Sequence, residues 1–67
     1  MNELKVYITD HINKCVVAEN LTLREAATVR TAYINDNDYS EKYIRCFSMA
    51  MNIDVTYLVE MFTPEEV

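Results

Sequence analysis

The chain has no glycine, so every backbone reversal that needs a positive φ must be made by another residue. Asparagine is the next best residue for such positions, and there are six of them. Asn20, Asn35, Asn37 and Asn52 stand where apolar runs end, which makes them candidate helix stops. Proline occurs once. Punctuation of this kind predicts an all-α chain.

Apolar spacing leads to the same expectation. In residues 40–62, Tyr43, Ile44, Phe47, Ala50 and Met51 recur at three- and four-residue intervals, as on one side of a helix. Asn52 interrupts the run, Asp54 is suited to cap a new helix, and Val55, Leu58, Val59 and Phe62 form a second stripe. Helices joined by so short a connection fold back on each other around a shared core. Near the start, Leu4, Ile8, Ile12 and Cys15 or Val16 share one helical face. Thr22 and Glu25 have the spacing of a capping box that opens the next helix. The sequence thus predicts one domain, 1–67, a small compact bundle of four to five helices, with approximate helices 2–19, 22–34, 39–51 and 54–62.

Ala50 to Val59, A-M-N-I-D-V-T-Y-L-V, resembles the closing element of XRE/Cro-type (lambda-repressor-like) helix-turn-helix repressor domains, with Asn52 where that family usually has glycine. Ile12, Cys15, Leu21, Thr22, Ala26 and Ala27 match in spacing its first helix and the L-T-x-x-E-L-A opening of its second. The departure is residues 28–39, TVRTAYINDNDY, roughly eight residues short of what a full groove-reading unit uses. Two foldings fit. Helix two continues through Ile34 and turns at Asn35–Asp38, the reading we favour, or a turn near Thr28 leaves a vestigial reading helix from Arg30 to Asn35. The stretch V-R-T-A-Y-I-N is similar to the family's V-S-x-x-Y-I-S recognition segment.

The net charge of −5 is unevenly spread. Residues 1–34 balance four acids with four bases, whereas residues 35–67 hold seven acids against Lys42 and Arg45. Nucleic-acid affinity comes from neutralising phosphates, so an acidic second half disfavours DNA. Combined with the resemblance, this implies a small non-enzymatic regulator of transcription of phage or mobile-element type. It would act by binding another regulatory protein, such as a repressor, in the manner of an antirepressor. The expected partner surface is Tyr33, Asp36, Asp38, Tyr39 and Glu41. An alternative implied by the resemblance is a dimeric operator-binding repressor reading DNA with Arg24, Arg30, Thr31, Tyr33 and Asn35. A second alternative is an acidic phage inhibitor of a host nuclease or defence complex. Met49, Met51, Met61, Tyr39, Tyr43 and Tyr57 exceed what so small a core can hide, and Tyr57 and Met61 are candidates for a homodimer surface.

Nothing in the spacing calls for catalysis or a cofactor. There is one histidine, no glycine-rich phosphate loop and no paired-carboxylate arrangement. His11 and Cys15 lie four apart, but a zinc site needs further close ligands; a surface His11 and a packed Cys15 is the simpler reading. The two cysteines suit a reduced chain, and no apolar run is long enough to span a bilayer, so a cytoplasmic location is expected.

Overall fold

The computed structural model describes residues 3–63. They form β1 (Val6–Asp10), β2 (Cys15–Leu21), α1 (Leu23–Asn37), a single 3-10 turn at Glu41–Tyr43, β3 (Ile44–Ser48) and the short helix α2 (Thr56–Val59). A three-stranded antiparallel sheet in the order β2-β1-β3 is covered on one face by α1. β2 and β3 both run antiparallel to β1, so α1 is the crossover between two strands parallel to each other.

This overturns the all-α bundle and, with it, the XRE/Cro resemblance: the described residues form a mixed α/β domain, not a helix-turn-helix fold. The helix expected over 2–19 is a β-hairpin, and that expected over 39–51 is the 3-10 turn followed by β3. The cause is an ambiguity of period. Leu4, Ile8 and Ile12 recur every four residues, a spacing that fits both a helix face and one face of a strand. The β-branched content of V-Y-I-T-D decides for the strand, since such side chains lose rotamer freedom in a helix and pack well on a pleat. Ile12 then falls in the hairpin loop, 45% exposed.

The strands alternate as a half-covered sheet should. Val6, Ile8 and Asp10 of β1 and Ile44, Cys46 and Ser48 of β3 face α1 and are buried. They meet Ala26 and Ala27 of α1, with Val55 and Val59 closing the core. Pairing of Ile8 with Ala18 and Thr9 with Val16 leaves Val17 as an extra residue in β2. A second irregularity lies between Ala18 and Leu21, where Asn20 takes a left-handed φ of 59°. The outer edge of β3 is covered by residues 53–56: Ser48 N–H donates to Ile53 O and Val55 N–H to Cys46 O. Thr56 completes the seam, its Oγ1 accepting from Cys46 N–H at 2.8 Å.

α1 begins with the full capping box, Thr22 Oγ1 accepting from Glu25 N–H and Glu25 Oε1 from Thr22 N–H. It runs unbroken through the residues of the vestigial reading helix to Asn37 and ends on Asp38, left-handed at φ 55°. Among the described residues, no helix is long and apolar enough to cross a membrane.

Candidate functional site

Two surfaces stand out, one at the C-terminal end of α1 and one on the uncovered face of the sheet. The first is organised by Asp10, at the end of β1 and only 1% exposed. Its Oδ1 accepts the backbone N–H groups of Ile12 and Asn13, which fixes the hairpin loop. Its Oδ2 accepts Asn13 Nδ2 and the Tyr33 hydroxyl from α1. Asn13 Nδ2 also donates to the Tyr39 hydroxyl at 2.9 Å, and the Tyr33 and Tyr39 rings meet edge to face at 6.0 Å. Burial pushes the Asp10 carboxyl up, but the hydrogen bonds from Tyr33, Asn13 and Ile12 outweigh it and hold the pKa at about 2. The Tyr33 hydroxyl, donating to that carboxylate and partly desolvated, is pushed up to about 12.

Of the five residues expected to meet a partner, Tyr33 and Tyr39 are half-buried within this network, while Asp36, Asp38 and Glu41 are exposed. The last turn of α1 carries no base, so two carboxylates sit at the end of the helix that already bears partial negative charge. Glu41 adds a third, and its carbonyl is held by Arg30 Nη2 at 2.9 Å.

The residues of the DNA-reading alternative are not brought together. Arg24, Thr31 and Asn35 share one side of α1, at helical intervals of seven and four. Arg30 instead turns inward, 6% exposed, with Nε donating to Ile44 O at 2.7 Å and Nη1 3.7 Å from Glu60. Tyr33 points to Asp10, and the Arg24 guanidinium lies over the Phe62 ring. Tyr57 and Met61, the expected dimer surface, are 64% and 77% exposed on and just after α2. Cys15 is exposed rather than packed, whereas burial raises the Cys46 thiol to about 11. His11 sits on the hairpin loop with Nε2 3.1 Å from Thr9 Oγ1.

The second surface escaped the helical reading altogether. Tyr7 and Thr9 of β1 and Arg45 and Phe47 of β3 alternate with the buried set and so face away from α1. Val16, opposite Thr9, joins them. The Tyr7 and Phe47 rings stack at 5.6 Å, and the Tyr7 hydroxyl donates to Asn52 Oδ1. Arg45 Nε meets Asp54 Oδ2 at 3.0 Å beside them. A shallow depression lined by Tyr7, Val16, Glu19, Met49 and Asn52 continues the surface toward β2. The signal was present as strict alternation in V-Y-I-T-D and I-R-C-F-S, once those segments are taken as strands.

Among the described residues, no three His, Cys, Asp or Glu side chains group as a metal site. Comparison with protein-family models, with curated proteins and with solved structures finds no match to this chain.

Proposed function

We propose that this chain is a small non-enzymatic binding protein whose partner is another protein with a cationic contact surface, engaged by the acidic end of α1. The observation that carries the reading is that Asp36 and Asp38 stand exposed at the negative end of α1, whose last turn carries no base, with Glu41 exposed in the 3-10 turn that follows. Asp38 fills the left-handed cap of α1, but as charges the three acids are opposed by one another and by the helix dipole. Electrostatic complementarity to a basic surface, such as one that ordinarily receives phosphates, would turn the same arrangement into attraction and fast association. Without a helix-turn-helix frame nothing in the fold ties the chain to transcription, and the partner is defined by the chemistry of the contact alone.

The test compares affinity columns carrying the wild-type chain and the triple variant Asp36→Asn, Asp38→Asn, Glu41→Gln, loaded with lysate of the source cells. The reading expects basic proteins retained by the wild type, lost on the variant column and released by raised salt. Equal retention on both columns would reject the acidic end as the contact. A gel shift of DNA by the wild-type chain would instead favour nucleic-acid binding.

A further inference from the structure

The uncovered face of an antiparallel sheet is ordinarily polar. Here its centre is Tyr7, Phe47, Val16 and Met49, the last two 55% and 39% exposed. We propose that this face is the interface through which two copies of the chain dimerise, sheet against sheet.

Charge selects the occupant. The groups around the face are Glu3, Glu19 and Asp54 against Lys5, Lys14 and Arg45, which sum to zero. Among the described residues the excess of acid therefore lies elsewhere, on the helix side. Two copies of an acidic protein repel wherever those sides meet, and this neutral face is where they approach without that cost. A strongly cationic partner, by contrast, would be drawn to the acidic side and gains nothing here.

Size and edges agree. The body measures 37 × 28 × 17 Å. Its broad side has room for the roughly 800 Å² per partner that a specific interface needs, with sheets packing about 10 Å apart. Edge-to-edge pairing is the competing route to a dimer. The outer edge of β3 is covered by residues 53–56, and β2 is bent by its two irregularities, which makes it a poor template. An apolar centre with a mixed-charge rim is also the usual anatomy of a stable interface.

The experiment is sedimentation equilibrium of the full chain across micromolar to millimolar concentration, with circular dichroism to verify folding. The wild type is expected to reach twice its 7.8 kDa monomer mass. Val16→Glu, a change at an exposed site outside the core, should stay folded and weaken dimerisation by about tenfold or more, because it places two carboxylates in the interface. Tyr57→Glu, on α2, should leave the dimer unchanged. The proposal is overturned if the wild type remains monomeric throughout, if Val16→Glu dimerises like the wild type, or if Tyr57→Glu disrupts the dimer equally. Should Val16→Glu fail to fold, Met49→Glu provides the same test from β3's end of the face.

Discussion

Asp10 fastens two elements with one carboxylate, the hairpin loop through Ile12 and Asn13 and the helix through Tyr33. Its folded pKa, about 2, lies below the ordinary 3.8, so the unfolded chain binds the proton more tightly. The stabilisation is therefore complete above pH 4, falls as pH drops from about 4 toward 2, and is gone below that window. Urea midpoints at pH 5, 3 and 2 should show this decline in the wild type and a flatter profile in Asp10→Asn. Parallel profiles would mean that the carboxylate is not held as described. The same scale shows what composition could and could not convey. Asn20 and Asn52 do adopt positive φ, as a chain without glycine invites, but in a strand and a loop rather than at helix ends. Lys14 and Asp38 take the other two such positions, and nothing in their side chains singles out Lys14 for it.

Among the elements, α1 was legible because its start signal is local: Thr22 and Glu25 carry the capping box wherever the rest of the chain goes. The sheet was not, because four-residue spacing serves both periods and strand pairing is a long-range event that no local pattern reports. β3 shows the difficulty most plainly. Its inward residues are Ile44, Cys46 and Ser48, so the small and polar ones are buried while Phe47 faces out. Burying Ser48 and the backbone of Cys46 works because residues 53–56 supply partners. Thr56, fully buried, is the least replaceable of these. Thr56→Val keeps the shape but removes the acceptor for Cys46 N–H, at an expected cost of about 1–3 kcal/mol. Hydrogen exchange at the Cys46 amide should accelerate in Thr56→Val and remain slow in Thr56→Ser. A valine variant as stable as the wild type would show that this seam contributes nothing.

For the molecule as a whole, the decisive property is where charge has been left unbalanced. Among the described residues the charges around the sheet face balance and the helix side is acidic, a segregation invisible in a net figure and only half visible in the contrast between the two halves of the sequence. Residues 1–34 sum to zero, yet they include Arg30, which is buried on carbonyls and beside Glu60, and so lends little to the surface. If the acidic end of α1 is the proposed contact, binding and stability pull in opposite directions there. Asp36→Lys puts a base in the last helical turn, which should raise stability by about 0.5 kcal/mol. In a domain of this size that is roughly 2–4 °C in Tm, measurable by thermal unfolding at low salt. The same variant should lose the salt-sensitive retention of basic proteins that the proposed contact predicts for the wild type. If Asp36→Lys instead destabilises the fold, the acids at this end have a structural role. The case for a surface kept acidic in order to meet a cationic protein would then fail.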